Sequence, residues 1–181
     1  MANRSSLQAL LQERALQFGE FTLASGQKAS FYLDCRQVTL DSQGALWIAE
    51  SMLERLEKDW PDAVGGMAIG ADPITAAVLT VAAQRNRPLK GFIVRKEAKQ
   101  HGMARQVEGP VAAGDRCVIL EDVVTTGGSS LRAIEHARAF GLEVLGVLAI
   151  VDRQAGGRET FEREGLAFEA LFTIDELLGS R

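Results

Sequence analysis

CVILEDVVTTGGSS, residues 117–130, is the stretch of sequence that decides the fold. Its first four residues are apolar and predict a strand that is buried on both faces, with Glu121 and Asp122 at its carboxyl end. A run of Thr, Gly and Ser follows and leads into a helical pattern over residues 131–140. Because ligands of an open parallel sheet bind beyond the carboxyl ends of its strands, we expect a binding site here.

The residues after the strand favour an anionic ligand. A turn of small residues that leads into a helix directs backbone N–H groups and the positive end of the helix dipole toward an anion. Two acids would repel a bare phosphate, so the pattern favours a phosphorylated sugar, with its hydroxyls on Glu121 and Asp122 and its phosphate on residues 125–129. An ordinary strand–turn–helix with solvated acids is the alternative. A Walker A loop is excluded because no Lys follows the glycines.

The same stretch resembles the ribosyl-diphosphate signature of type I phosphoribosyltransferases. That signature consists of an apolar strand, Glu/Asp-Asp, two apolar residues and Thr-Thr-Gly-Gly-Ser, and it is long and ordered. The resemblance implies that the ligand is 5-phosphoribosyl 1-diphosphate. The contacts that it implies in this stretch come from Glu121, Asp122, Val123, Val124, Thr125, Thr126, Gly127, Gly128 and Ser129.

Length and composition are those of one ordinary globular domain. The chain has 181 residues, of which 46% are hydrophobic and 24% charged. No apolar run approaches the length of a membrane span, and the first residues lack the apolar core of a signal peptide, so we expect a cytoplasmic protein without a membrane partner. Cys35 and Cys117 are far apart and match no metal-binding spacing.

The charge of the chain is unevenly distributed. Residues 85–105 contain seven Lys or Arg and one Glu, a local charge of +6, whereas the whole chain carries −4. An acidic protein with one cationic stretch favours a small anionic ligand over nucleic acid, which usually requires a broad basic face.

The order of the predicted elements indicates an α/β fold with a mainly parallel central sheet flanked by helices. A single domain would span residues 1–181, with the core sheet in residues 61–154 and a small hood contributed by residues 1–60 and about 155–181. The predicted helices are 5–18, 42–58, 73–84, 129–140 and one from Asp175; the predicted strands are 21–23, 31–33, 64–69, 89–95, 116–121, 143–151 and 167–172.

A second loop follows the first strand of the predicted sheet. In Gly70-Ala71-Asp72-Pro73, Asp72 is suited to cap the next helix and Pro73 to its first position. The resemblance implies that this loop also touches the diphosphate. Many members of the family carry a Lys where this chain has Gly70, so here the contact would come from the main chain.

The cationic stretch begins with the octapeptide at residues 95–102, RKEAKQHG. Residues 97–115 are polar and interrupted by glycines and a proline, which is typical of a lid, although a solvated charged loop is the alternative. The octapeptide resembles the signature of orotate phosphoribosyltransferases, whose loop closes over the active site of the neighbouring subunit. The resemblance implies a homodimer with shared active sites. It also implies that the diphosphate is held by Arg95, Lys96, Lys99 and His101, and that Lys99, His101 and Asp122 are catalytic.

Two further segments bear on the choice of base. Arg153 follows the strand 143–151, and its planar fork is suited to a carboxylate, with a surface salt bridge to Asp152 as the alternative. The resemblance assigns Arg153 and Thr125 to orotate, and it places Tyr32 where the family stacks an aromatic ring against the base. Residues 19–26 also resemble these enzymes, but Ala24 stands where many of them have a Lys.

Together, these resemblances imply an orotate phosphoribosyltransferase of pyrimidine biosynthesis. Orotate and 5-phosphoribosyl 1-diphosphate would give orotidine 5′-phosphate and diphosphate, with Mg²⁺ bridging the diphosphate and ribose hydroxyls through few protein ligands. Two alternatives remain at this point. One is a phosphoribosyltransferase for another base, and the other is a non-catalytic regulator that binds the ribosyl diphosphate on the same fold.

Overall fold

The fold is described by a computed structural model, which covers residues 4–22, 28–97 and 106–179. Its eight strands are β1 (Leu16–Thr22), β2 (Lys28–Leu33), β3 (Ala63–Met67), β4 (Lys90–Val94), β5 (Val107–Glu108), β6 (Arg116–Val124), β7 (Glu143–Asp152) and β8 (Ala167–Thr173). Its seven helices are α1 (Arg4–Arg14), α2 (Arg36–Thr39), α3 (Ser42–Leu56), α4 (Ala71–Gln84), α5 (Gly128–Phe140), α6 (Gly157–Arg163) and α7 (Ile174–Leu178).

The main sheet has six strands in the order β5-β4-β3-β6-β7-β8, and all neighbouring pairs are parallel except β4–β5. This confirms the predicted α/β class with a mainly parallel sheet. The order reverses direction at β3 and β6, where the chain moves from one half of the sheet to the other. In doubly wound sheets such a switch point opens a crevice at the carboxyl ends of the strands.

Both faces of the sheet are buried, which explains the uninterrupted apolar run in β6. Successive side chains of a strand point to opposite faces. Val118 and Leu120 therefore belong to the core cluster that contains α3 and α4, whereas Cys117 and Ile119 belong to the cluster that contains α5 and α6. All four side chains are at most 8% exposed. This packing fixes the position of the acids that follow in the same strand.

The N-terminal region differs from the predicted helix 5–18. Helix α1 ends at Arg14, and β1 begins at Leu16 and pairs with β2 in an antiparallel hairpin. Phe18, the last residue of the predicted helix, instead lies in β1, pairs with Phe31 and is 55% exposed. The helical spacing of the apolar residues is correct for Leu7, Leu10 and Leu11, which pack in the core cluster or against it, but the backbone pairing of the hairpin takes over after Ala15.

The strand predicted at 167–172 is observed as β8, but it joins the main sheet, whereas the sequence assigned residues from about 155 onward to the hood and cover. Strand β8 pairs in parallel with β7 and forms the edge of the main sheet, and the unpredicted helix α6 precedes it. Both α7 and β8 lie against the N-terminal region. Gln8 and Gln12 of α1 donate hydrogen bonds to carbonyl groups of α7 at 2.8 Å, and Arg4 donates one to the carbonyl of Leu171 in β8 at 3.1 Å. The hairpin, α1 and the sheet contribute to one continuous core cluster.

Candidate active site

A pocket lies at the carboxyl edge of the sheet, between the strands and the end of the hairpin. We call it the carboxyl-edge pocket. Its lining comes from five places in the chain: residues 32–36, residues 67–70 after β3, Lys96 after β4, residues 121–123 of β6, and Ser129 at the start of α5. The topology therefore brings together the strand-end acids, the second loop and one residue of the cationic stretch.

Glu121 is a buried carboxyl group at this pocket, with an exposed fraction of 5%. The hydroxyl of Ser130 donates a hydrogen bond to Glu121 Oε2 over 2.9 Å. Burial, together with the neighbouring charge of Asp122, raises the pKa of Glu121 to about 7, despite the opposing effect of the Ser130 hydrogen bond. Glu121 can therefore hold or release a proton near neutral pH, so that it can either donate to or accept from a sugar hydroxyl.

Asp122 is half-buried and stands inside β6, which runs to Val124 and not to residue 121 as predicted. Its Oδ1 accepts a hydrogen bond from the N–H of Val123 over 2.8 Å. Gly70 lies directly opposite, since a Cβ atom at that position would be 3.0 Å from Asp122 Oδ1. The absence of a side chain at Gly70 therefore keeps the carboxylate of Asp122 open to the pocket.

The turn between β6 and α5 has the geometry that its glycines require. Gly127 has a φ of +85°, in the left-handed region that glycine tolerates best. A Cβ atom there would be 3.0 Å from the ring of Phe161 in α6. Thr125 and Thr126 are exposed, and α5 begins at Gly128. The first N–H groups of a 13-residue helix are thus directed at the turn, as anion binding demands.

The loop at residues 70–73 does not cap helix α4 in the way that the sequence predicted. Helix α4 already begins at Ala71, because Gly70 has helical φ and ψ of −62° and −41°. Asp72 therefore lies in the first turn and is not the N-cap residue that the sequence predicted. Its Oδ1 is buried without a hydrogen bond among the described residues, and burial raises the pKa of this carboxyl group.

The cations of the lid are only partly described. Arg95 Nε lies 3.3 Å from Glu108 Oε1, across the antiparallel pair β4–β5. Lys96 lines the carboxyl-edge pocket. Lys99 and His101, predicted to be catalytic and to hold the diphosphate, lie outside the described residues, as does Ala24.

Arg153 lies at the same edge of the sheet and reaches the hairpin. Its N–H donates to the carbonyl of Val124 over 2.8 Å, and its guanidinium carbon lies 5.1 Å from the centroid of the Phe31 ring. No acid within the described ranges forms a salt bridge with Arg153. The alternative partner Asp152 is instead buried, accepts a hydrogen bond from Gln154 and lies 3.6 Å from Arg158. Arg153 is therefore available for a carboxylate ligand.

Two aromatic residues of β2 have different surroundings. Tyr32 lines the carboxyl-edge pocket, is 39% exposed and has its ring 5.8 Å from that of Phe21. Phe31 packs against the core and lies under Arg153. Thus the pocket position predicted for Tyr32 is observed, while the sequence did not indicate the contact between Phe31 and Arg153.

Asp34, Arg36 and Ser130 are polar residues of the site that the sequence interpretation missed. Asp34 and Arg36 line the pocket, and Ser130 holds Glu121. Ser130 could have been inferred because it directly follows residues 125–129, which the sequence predicts to bind a phosphate. The only signal for the other two was their position directly after the apolar residues 31–33, since the packing of the hairpin brings them to the sheet.

No helix within the described residues is long and apolar enough to span a membrane. The same residues contain no cluster of three or more His, Cys, Asp or Glu side chains suited to a metal ion. If a metal ion takes part here, most of its ligands must come from a bound substrate, as is common for Mg²⁺ with phosphates.

Known proteins resemble this chain over nearly its whole length. A family model described as phosphoribosyl transferase domain matches residues 44–164. The orotate phosphoribosyltransferase of Rhodopirellula baltica is 56% identical over 181 residues, covering 96% of this chain and 94% of that protein. The orotate phosphoribosyltransferase of Aquifex aeolicus is 45% identical, covering 98% and 99%. The structure of the Mycobacterium tuberculosis enzyme in complex with 5-phospho-alpha-D-ribosyl 1-diphosphate is 33% identical, with a TM-score of 0.83 and coverage of 97% and 99%.

Proposed function

The chain belongs to the orotate phosphoribosyltransferases, a family of glycosyltransferases, and on that premise we propose how the carboxyl-edge pocket and its surroundings carry out the reaction. The substrates are orotate and 5-phosphoribosyl 1-diphosphate, and the products are orotidine 5′-phosphate and diphosphate. The observation that carries the proposal is the junction of β6 with α5, where an acid pair, a glycine turn and a helix N-terminus adjoin Arg153.

We assign the ribose 5-phosphate part of the substrate to this junction. The N–H groups of Thr125, Thr126, Gly127, Gly128 and Ser129 bind the 5′-phosphate. The carboxyl groups of Glu121 and Asp122 bind the ribose hydroxyls, with Val123 and Val124 forming the strand beneath. Support comes from the buried Glu121–Ser130 hydrogen bond, because it ties the ribose-binding acid to the helix that would bind the phosphate.

We assign the diphosphate to the opposite wall of the pocket. There the main chain of Gly70 and Ala71 can approach it closely, and Lys96 supplies a positive charge. Arg95, Lys99 and His101 complete the set as the lid closes, and Arg95 must then leave Glu108. Lys99 and His101 act as catalytic residues by stabilising the negative charge that develops on the leaving diphosphate.

Orotate binds between Arg153 and the hairpin. Its carboxylate pairs with the guanidinium of Arg153, which Phe31 holds from below, and Thr125 provides a second contact. Tyr32 flanks the base from the pocket side. In the transition state, positive charge develops on the ribose carbon, and the carboxylate of Asp122 stabilises it from the ribose face of the pocket.

We also propose Mg²⁺ dependence. The donor set fits this ion, since it consists of carboxylate oxygens beside the expected diphosphate, and Mg²⁺ retains few protein ligands in such sites. When bound, the ion would neutralise part of the charge of the diphosphate. Asp122 and Glu121 are the carboxylates that would help to hold it there.

Two properties of the whole protein are part of the same proposal. The enzyme works as a homodimer in which each lid serves the neighbouring site, and it is located in the cytoplasm. The orotate phosphoribosyltransferase signature in residues 95–102 supports the first, and the lack of any apolar run long enough for a membrane span supports the second.

The test is a panel of bases. The purified protein is incubated with 5-phosphoribosyl 1-diphosphate, Mg²⁺ and, separately, orotate, uracil, adenine, guanine and hypoxanthine, and nucleotide products are separated by chromatography. We expect orotidine 5′-phosphate from orotate, and its loss when EDTA replaces Mg²⁺. A nucleotide from another base alone, or binding of the ribosyl diphosphate without any product, would contradict the proposed function.

A further inference from the structure

Arg36 is a positive charge at the carboxyl-edge pocket to which the reaction described so far gives no role. It begins α2, directly after the hairpin, and lines the pocket together with Ile69, Gly70 and Asp122. Its side chain is 49% exposed. Because this side chain is partly exposed, its guanidinium can contact a ligand without first moving out of the protein interior.

Asp34 fixes the direction of this side chain. Its Oδ1 accepts hydrogen bonds from Arg36 Nε over 2.7 Å and from the Arg36 N–H over 3.1 Å, and its Oδ2 accepts one from Gln37 over 3.2 Å. The hydrogen bond from Arg36 is the main reason why the pKa of Asp34 is lowered, so Asp34 remains ionised at neutral pH. Within the described residues, the two Nη groups of Arg36 have no hydrogen-bond partner. Asp34 thus holds the guanidinium of Arg36 at Nε, and the two Nη groups remain available for a ligand.

The charges that line the pocket favour a role for Arg36 in binding an anion. Three carboxyl groups line it, those of Asp34, Glu121 and Asp122, and the described cations that line it are Arg36 and Lys96. A substrate with a diphosphate and a phosphate brings several further negative charges into this space. Arg95, which directly precedes Lys96, lies 3.3 Å from Glu108 in this structure.

We propose that Arg36 binds the diphosphate group of the substrate and that Asp34 is the residue that positions it. The inference rests on the proposed function. Arg36 lines the same pocket as residues 68–70, where the diphosphate is assigned, and it lies close enough to Asp122, opposite Gly70, to interact with its charge. A guanidinium binds phosphate oxygens through two parallel hydrogen bonds. A charge bound to the leaving diphosphate contributes in the transition state as well as in the bound substrate.

The experiment measures binding and kinetics in parallel for the wild type and the variants Arg36→Gln, Arg36→Lys and Asp34→Asn. Calorimetry with inorganic diphosphate, ribose 5-phosphate and orotate, each with Mg²⁺, identifies the affected part of the site. For Arg36→Gln we expect about a tenfold or greater rise in the Kd of diphosphate and in the KM for the ribosyl diphosphate substrate, as for loss of one charge-assisted contact. The Kd values of orotate and ribose 5-phosphate stay within about twofold, a factor well below one such contact.

The variants Arg36→Lys and Asp34→Asn distinguish a direct contact between Arg36 and diphosphate from an effect on the structure of the pocket. Arg36→Lys restores part of the diphosphate affinity, because charge remains while the fork is lost. Asp34→Asn weakens diphosphate binding less than Arg36→Gln, because the guanidinium remains but is held less firmly. Arg14→Gln is the matched control, since Arg14 is an exposed arginine that pairs with Asp41 over 2.8 Å and does not line the carboxyl-edge pocket. Its diphosphate affinity stays at the wild-type value.

Three results would overturn the role of Arg36. The first is an unchanged diphosphate Kd in Arg36→Gln, the second an equal loss for orotate and diphosphate, and the third a loss confined to ribose 5-phosphate. Failure of the proposed function has a different signature. In that case the wild type forms no orotidine 5′-phosphate, whereas the dependence of diphosphate binding on Arg36 can still be measured.

Discussion

At the scale of single residues, the site consists of side chains whose charge is set by their immediate neighbours. Glu121 is the clearest case, because it is nearly inaccessible and lies next to a second carboxyl group. Arg153 is the opposite case, a cation that has an aromatic ring beneath it but no acid partner among the described residues. These two residues give predictions that can be tested independently.

The first prediction concerns the pH dependence of stability. The folded-state pKa of Glu121 is about 7, above its ordinary value of 4.5, so its contribution to stability is full below about pH 4.5 and is lost as the pH rises through about 7. Relative to Glu121→Gln, the wild type should lose on the order of 3 kcal/mol of unfolding free energy between pH 4.5 and 8. Denaturant unfolding of both proteins across this range measures the difference. Glu135→Gln, on the exposed face of α5, is the control, and a difference that is independent of pH would contradict the burial argument.

The second prediction concerns orotate. Arg153→Ala leaves the carboxylate of orotate without its partner, and loss of a buried charge pair costs on the order of 2–5 kcal/mol. The KM for orotate should therefore rise at least about tenfold, since 1.4 kcal/mol corresponds to a factor of ten, while the KM for the ribosyl diphosphate changes little. Steady-state kinetics with each substrate varied in turn distinguishes the two. Arg138→Ala at the end of α5 serves as the control, and equal damage to both substrates would show that Arg153 acts only through its contact with Phe31.

At the scale of elements, the strand–turn–helix around β6 is the part that could be predicted almost completely. The burial of β6, the turn and the start of α5 depend on residues adjacent in sequence, and the structure has α5 at Gly128–Phe140 against the predicted 129–140. The prediction was poorer where the structure or position of an element depends on residues far away in the sequence. The sequence around Phe18 has helical spacing, yet the pairing with β2 makes it a strand. The strand predicted at 167–172 is observed as β8, but its place at the edge of the main sheet depends on pairing with β7 and was not predicted.

The residues of the candidate site divide in the same way, into those that local sequence predicts and those that distant packing places. Glu121, Asp122 and Arg153 could be assigned because each lies near the carboxyl end of a strand of the sheet, and parallel strands end at one edge. Asp34 and Arg36 could not, because the hairpin that delivers them to this edge is packed there by the core cluster and not by any local pattern. The cap at Asp72 was wrong because the helix begins at Ala71, two residues earlier than the predicted start at residue 73.

The third prediction belongs to the turn before α5. Gly127→Ala places a Cβ atom 3.0 Å from the Phe161 ring in a left-handed conformation, which costs an L residue roughly 1–2 kcal/mol before any clash. We expect a lower Tm and a higher KM for the ribosyl diphosphate. Gly128→Ala is the matched control for stability, since its Cβ atom would have Thr126 Oγ1 as nearest neighbour at 3.9 Å and a helical residue favours Ala over Gly. A Gly127→Ala protein as stable as Gly128→Ala would contradict the account of the turn.

At the scale of the whole molecule, the prediction is that two chains build each active site. Lys99→Ala damages the lid and Asp122→Asn damages the pocket, so each parent homodimer is nearly inactive. In an isologous dimer whose lids cross, a mixed dimer has one site with both defects and one with neither. Random exchange makes about half of the dimers mixed, and activity should return to roughly one quarter of the wild-type value per site. If mass spectrometry confirms the exchange and no activity returns, each lid serves its own subunit.

The contact between α1 and α7 has a consequence for the order in which a newly made chain can mature. The polar anchors of α1 are residues 165 to 172 positions further along, through the hydrogen bonds of Arg4, Gln8 and Gln12. At ordinary rates of synthesis, α1 leaves the ribosome roughly 10–30 s before those partners exist. During that interval its apolar residues Leu7 and Leu11 lack part of their final cover. The first helix to be translated is therefore among the last to be fixed, and a ribosome that stalls before residue 174 holds a chain whose amino-terminal helix remains a target for chaperones and proteases.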